Sequence, residues 1–257
     1  MAEPYRIVVL GGYGHFGARI VRALAKSPGI RVIAAGRHPQ QAARNLPGVD
    51  PATIGLCALD TAAADFRERL AATRADLVIH TAGPFQGQGY AVARACLDAG
   101  MHYIDLADGR DFVRAFPAAL DAAARSARRS AISGASTLPA LSSAVVDALR
   151  ERFDALHEIR LVIAPAQATP LGMATVRAVL SYCGLPFQWW QDGRWQTAVG
   201  WADPQPVRFA GLAPRLASPC DVPDHDLLVQ RYPGVRTVQF RAALELPLLQ
   251  RCLAAIA

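Results

Sequence analysis

The sequence predicts an α/β fold: a doubly wound parallel sheet followed by a second, smaller α+β domain. Three observations predict it. Up to about residue 135, short apolar strands alternate with amphipathic helices. The first strand runs directly into a glycine-spaced turn and a helix. From about Phe153 the pattern changes to strands and an aromatic hairpin. The division expected from this is residues 1–138 and residues 139–257.

The elements follow in order. Arg6 to Leu10 is the first strand, and Gly11-Gly12-Tyr13-Gly14-His15-Phe16-Gly17 leads into a helix over Ala18 to Lys26. Gly12 is expected to turn the strand into the helix, Gly14 to let backbone approach a pyrophosphate, and Gly17 to let helix and strand pack closely. The helix N-terminus then aims its free N–H groups at an anion. With a strand before it and a helix after it, the motif reads as a dinucleotide site of the Rossmann type.

Arg31 to Ala35 is the second strand, and the residues after it discriminate between dinucleotides. An NAD site places an acid there to bond the ribose 2′-OH. This chain has Gly36-Arg37-His38 instead. A small residue followed by arginine makes room for a 2′-phosphate and offers it a bidentate cation, so NADP(H) is expected over NAD(H). Arg37 stacked on the adenine, or simply placed on the surface, is the alternative.

A loop with Pro47-Gly48 precedes a third strand over Thr53 to Asp60, and Asp60 is a candidate acceptor for the adenine amino group or a plain turn acid. A helix over Ala63 to Ala72 leads to the fourth strand, Asp76 to Thr81. Its end, His80-Thr81-Ala82-Gly83-Pro84-Phe85, offers small residues against which a nicotinamide or its ribose can lie. A helix over Tyr90 to Ala99, stopped by Gly100, precedes the fifth strand, Tyr103 to Leu106. Phe112 to Arg129 is the next helix, Ser130 to Ser133 the sixth strand, and Gly134 to Pro139 opens a further helix.

In the second part, Glu158 to Ala164 reads as a strand and Met173 to Tyr182 as a helix. Trp189 to Thr197 reads as a hairpin around Asp192-Gly193. The proline-rich stretch Asp203 to Asp224 reads as loop, and Leu248 to Ala257 as an apolar helix. Trp189, Trp190, Trp195 and Trp201 either wall a substrate cavity or fill a core or dimer surface, so a homodimer is one expected assembly.

Composition narrows the classes. The chain has 257 residues, 52% hydrophobic and 19% charged, with a formal net charge of +6, which describes a globular protein. The cations are scattered arginines with no basic run among aromatics, so nucleic acid is not expected as a partner. No apolar run has the length of a membrane span. The 5 cysteines include no CxxC pair, which fits free thiols in a cytoplasmic setting. The histidines lack metal-ligand spacing, so no metal site is expected. Lys26 is the only lysine and no tyrosine stands four positions before it. The tyrosine–lysine pair of the short-chain dehydrogenases is therefore unavailable.

The ordered segments GGYGHFG, AGR, HTAGPFQGQGY, ACLDAGMHYIDLADG and SGASTLPALSS resemble the saccharopine dehydrogenase-like oxidoreductases over roughly the first 150 residues. The resemblance implies an NADP-type Rossmann domain with a second α/β domain beside it. It also implies hydride transfer to or from a C=N or C=O carbon of a small-molecule substrate. Related chains run on past this length, so the sequence is expected to be a shortened member or a piece, with an incomplete substrate pocket.

For the acid/base the candidates are Asp105 and Asp108, with Tyr103 or His102 as fallback; Asp105 bonding its own turn is the alternative. Arg110 is a candidate for holding a substrate carboxylate. The other class of function is a non-catalytic NADP(H) sensor or scaffold.

Overall fold

A computed structural model describes residues 3–46, 48–49, 53–168, 176–177 and 180–257. Contacts divide the chain into two units. The first comprises Met1–Ala107 and Ala115–Ala135, the second Asp108–Arg114 and Ser136–Ala257.

The first unit is a parallel six-stranded sheet of order β3-β2-β1-β4-β5-β6. Its strands are β1 (Tyr5–Leu10), β2 (Ile30–Gly36), β3 (Ile54–Ala58), β4 (Leu77–His80), β5 (His102–Asp105) and β6 (Ala131–Ile132). Between them run α1 (Gly17–Leu24), the short α2 (Ala42–Asn45), α3 (Phe66–Ala72), α4 (Ala91–Asp98) and α5 (Arg110–Ala127). The order reverses between β1 and β4, the switch point at which doubly wound sheets open a crevice.

The central strands are apolar because both faces are covered. Val8 and Val9 are fully buried in β1, as are Val32, Ala34 and Ala35 in β2 and Val78 in β4. Val21 of α1 joins Ile7, Val9, Val32 and Ala34 in one core cluster. Small Ala34, on the face that carries Val21 of α1, lets that helix approach the sheet closely. Every expected strand and helix of this unit is present, with ends shifted by one to three residues, the usual latitude at frayed termini. Pro47 lies outside the described residues.

The second unit contains α6 (Ser142–Arg150), β7 (Glu158–Ile163), β8 (Pro186–Gln191), β9 (Arg194–Val199), β10 (Gln205–Phe209) and β11 (Leu212–Pro219). These are followed by α7 (Asp224–Arg231), β12 (Thr237–Ala243) and α8 (Pro247–Ile256). The sheet order is β10-β11-β12-β8-β9, with β7 parallel to β12. Of the helix expected over Met173 to Tyr182, residues 173–175 and 178–179 lie outside the described residues.

Asp192 and Gly193 both take positive φ, 53° and 77°, and close the β8–β9 hairpin as expected of a type I′ turn. The loop expected over Asp203 to Asp224 is instead a second hairpin, β10–β11, turned at Gly211 with φ 74°. Its prolines mislead because they sit where a sheet tolerates them. Pro206 is on the edge strand, and Pro214 falls where the pairing shifts register between Val207 and Phe209. Trp189 and Trp201 are buried and Trp195 is half exposed.

The terminal helix α8 is fastened by buried Gln250. Its Nε2 donates to Ser218 Oγ (2.8 Å), and its Oε1 accepts the Leu244 N–H (2.8 Å).

Candidate functional site

The glycine loop hangs from the end of β2. The N–H groups of Gly11 and Gly12 both donate to Ala35 O, at 2.8 and 3.0 Å. The left-handed residue is Gly11, with φ 77°, and not Gly12 as the motif suggests. Gly17 behaves as expected. A Cβ there would lie 2.1 Å from Gly11 O, so any side chain would push α1 off the turn.

The first bond into α1 runs from the Ala18 N–H to Gly14 O (3.0 Å); ahead of it the Gly14 N–H donates to Gly11 O (2.8 Å), and the amides of Tyr13, His15 and Phe16 take no backbone acceptor among the described residues. Gly14 and Phe16 are exposed there, and His15 is partly so. An open ring of amides at a helix N-terminus is an anion cradle.

At the end of β2, Tyr13 is buried and its ring lies over Gly36. Burial pushes its phenol above the ordinary range. Arg37 and His38 are both exposed, and Arg37 forms no ion pair among the described residues. Fill and charge at this strand end therefore come from an aromatic ring and a cation, with no acid among the described residues. An open helix end at Gly14 and a small residue followed by a cation at Gly36-Arg37 fit a dinucleotide.

The other candidates are placed as follows. Asp60 is exposed and its Oδ1 accepts the Ala62 N–H (3.1 Å), as a turn acid does. Thr81 ties β4 to β1, its Oγ1 and its N–H both donating to Leu10 O at 2.8 and 2.9 Å. Ala82, Gly83 and Pro84 are partly exposed, and Gln88 Nε2 donates to the Ala82 and Pro84 carbonyls.

Asp105 is fully buried. Its Oδ1 accepts the Ala107 N–H (3.0 Å), Ser133 Oγ–H (2.9 Å) and Gly134 N–H (2.9 Å), which joins the ends of β5 and β6. Burial raises its carboxyl above the usual range, and those donors oppose the rise. This is the arrangement of an acid that holds its own turn.

Tyr103 is buried beside Phe116, and burial drives its phenol far upward. Its hydroxyl meets His80 Nδ1 at 2.9 Å. His80 is itself buried and depressed to about 4 by desolvation, hence neutral. His102 Nδ1 accepts the Ser130 N–H (3.0 Å). Both fallback residues are thus engaged in the fold.

In the second unit Asp108 is exposed. Arg110 is not free for a substrate carboxylate, which corrects that expectation. Its Nε and Nη2 fork onto Asp226 at 2.7 Å each, and its Nη1 donates to Asp221 Oδ1 (2.8 Å) and the Gln188 carbonyl. Sequence reasoning missed the acids that occupy it. Asp221-Val-Pro-Asp224-His225-Asp226 was assigned largely to loop, although three acids around one histidine were its visible mark.

Among the described residues no group of three or more His, Cys, Asp or Glu side chains could hold a metal ion. No helix there is long and apolar enough to cross a membrane.

With this geometry in place, the family model for the saccharopine dehydrogenase NADP binding domain matches residues 7–159, more than half of the chain. The chain belongs to that family. Among solved structures, apo saccharopine dehydrogenase (L-Glu forming) from Saccharomyces cerevisiae is 18% identical with a TM-score of 0.70, covering 93% of this chain and 55% of that one. This saccharopine dehydrogenase family member therefore shares that fold and spans about half the length of the yeast enzyme.

The Bacillus subtilis protein yvaA, an oxidoreductase by assignment only, is 12% identical over 96% of this chain and 65% of its own, with a TM-score of 0.49. An NADP-bound wide-type short-chain dehydrogenase/reductase from Veillonella parvula is 16% identical over 39% of this chain and 46% of its own, with a TM-score of 0.33. Neither adds to the fold assignment. A comparison with curated proteins gives no match.

Proposed function

We propose that this chain is an NADP(H)-dependent oxidoreductase that transfers hydride to or from a C=N or C=O carbon of a small substrate. The observation that carries the reading is the end of β2, where Tyr13 fills the space over Gly36 and exposed Arg37 follows. Family membership supports it.

In this reading the amides of Tyr13, His15 and Phe16 hold the pyrophosphate, Arg37 and His38 hold the 2′-phosphate, and Asp60 borders the adenine. Thr81, Ala82, Gly83 and Pro84 bear on the nicotinamide half. The nicotinamide, when bound, supplies or accepts the hydride. The protein's task is to bind, to exclude water and to supply a proton. Of the two carboxylates named for that proton, Asp105 has three donors on its Oδ1, and Asp108 is exposed.

A second reading, a non-catalytic NADP(H) sensor, is favoured by one observation: Asp105, Tyr103, His102 and Arg110 are all bound into the structure.

Titration with NADPH and NADH, alongside Arg37→Asp, tests the cofactor reading. Tighter NADPH binding that inverts in the variant supports it, and binding of neither cofactor overturns it. Substrate-dependent NADPH oxidation with imine or keto acid substrates separates enzyme from sensor.

A further inference from the structure

The first unit carries a groove that the proposed cofactor reading does not use. It is an open groove of about 440 Å³ bordered by residues of β1, β2, β3 and α3, among them Arg6, Arg31, Ile33, Cys57, Arg69 and Ala72.

Register explains why the arginines meet. Arg6 and Arg31 are direct partners across the parallel β1–β2 pair, so both side chains leave the same face. Ile33 follows two residues after Arg31 and Cys57 lies on the same face of β3. Arg69 reaches the groove from α3.

Two guanidiniums side by side repel each other unless an anion lies between them. No acid among the described residues lines the groove. Arg6 and Arg31 have no side-chain carboxylate partner among the described residues; Asp76 takes only the Arg6 backbone N–H. Arg69 is partly compensated by Asp65 at 3.7 Å, with both side chains half exposed. About two positive charges are therefore left without a counterpart.

We propose that this groove is a binding site for a small phosphorylated ligand, separate from the glycine loop. A phosphate monoester carries about −1.5 to −2 charges at neutral pH and matches the excess, whereas one carboxylate does not. Guanidinium forks suit its oxygens. The volume exceeds what a phosphate group needs, and Ile33 and Ala72 give the remainder an apolar floor. Arg6 and Gly11 lie at opposite ends of β1, about 16 Å apart at roughly 3.3 Å per residue, so one phosphate cannot serve both places.

Phenyl phosphate is the probe, with benzoate as the carboxylate control. Calorimetry follows binding, and mass-resolved alkylation follows Cys57, both with saturating NADPH present. The expected result is saturable binding of phenyl phosphate over benzoate with protection of Cys57. Arg31→Gln and Arg6→Gln, both near the surface, should each weaken it about tenfold or more, while Arg37→Gln leaves it unchanged. Absence of binding, affinity unaltered in both groove variants, or loss of binding in Arg37→Gln overturns the proposal. The site does not depend on the cofactor reading, which stands or falls on the NADPH titration alone.

Discussion

The ring of Tyr13 occupies the space that a side chain at position 36 would need. A Cβ built on Gly36 would lie 2.8 Å from both Cζ and Oη of Tyr13. Loop and strand end are thereby matched to each other, and the absence of an acid after β2 follows from packing as well as from charge.

Gly36→Asp alone is expected to fail as a route to NAD(H). The new side chain must displace a buried ring, so the variant should melt several degrees lower and lose affinity for both cofactors. Combined with Tyr13→Ala, the carboxylate gains room and the preference should turn to NADH. Thermal melts and parallel NADPH and NADH titrations check this. Tight NADH binding by Gly36→Asp alone, at unchanged melting temperature, would show that Tyr13 does not control the position.

For Asp105 the two conservative variants part company. Asp105→Ala strands three donors that now meet Oδ1, two of them backbone N–H groups. Each buried donor left unsatisfied costs about 1–3 kcal/mol, so a loss of about 3 kcal/mol or more is expected. Asp105→Asn keeps an acceptor oxygen in place and should cost about 1 kcal/mol. Urea unfolding measures both. Turnover abolished in a stably folded Asp105→Asn would return the acid/base role to this residue.

Arg110 stands between Asp221 and Asp226 with 8% of its side chain exposed, so its removal leaves the buried Asp226 and the partly buried Asp221 without a counter-charge. Arg110→Met should cost about 3–5 kcal/mol. Adding Asp226→Leu should recover much of that loss, because the desolvation penalty leaves with the charge. A denaturant series on the three proteins decides it, and a mild effect of Arg110→Met would mean that water reaches the cluster.

The first unit was legible because its pattern is local. Strand, glycine turn and helix are contiguous, and Val8, Val9, Val32 and Val78 mark strands buried on both faces. Arg37 and Gly36 could likewise be read from spacing. What the sequence hid depends on contacts distant in the chain. Tyr13 over Gly36 joins two segments, and Arg110 meets Asp226 across 116 positions. The β10–β11 hairpin was concealed by prolines whose edge and bulge positions appear only once the pairing is known.

The pH dependence of the second unit should be set by two neighbours that act in opposite directions. Asp224 is fully buried, with Ser142 Oγ donating to its Oδ1, and desolvation raises its carboxyl from 3.8 to about 6. A raised carboxyl contributes stability below its unfolded value, and that contribution is lost as pH climbs from about 4 to 6. The loss amounts to at most about 3 kcal/mol.

His225 is stacked on Phe187, with Asp221, Asp226 and Arg110 facing it, and burial lowers its pKa below 6.5. It favours the neutral ring, so its contribution is full above 6.5 and is lost as pH falls below that. All four tryptophans, Trp189, Trp190, Trp195 and Trp201, lie in this unit, and their fluorescence reports its unfolding. Asp224→Asn keeps an acceptor for Ser142 and removes the ionisation cost. It should therefore be more stable than the parent at pH 7, with stability rising monotonically from pH 4 to 7 under the histidine alone. Equal stability of parent and variant at pH 7 would mean that Asp224 ionises without penalty.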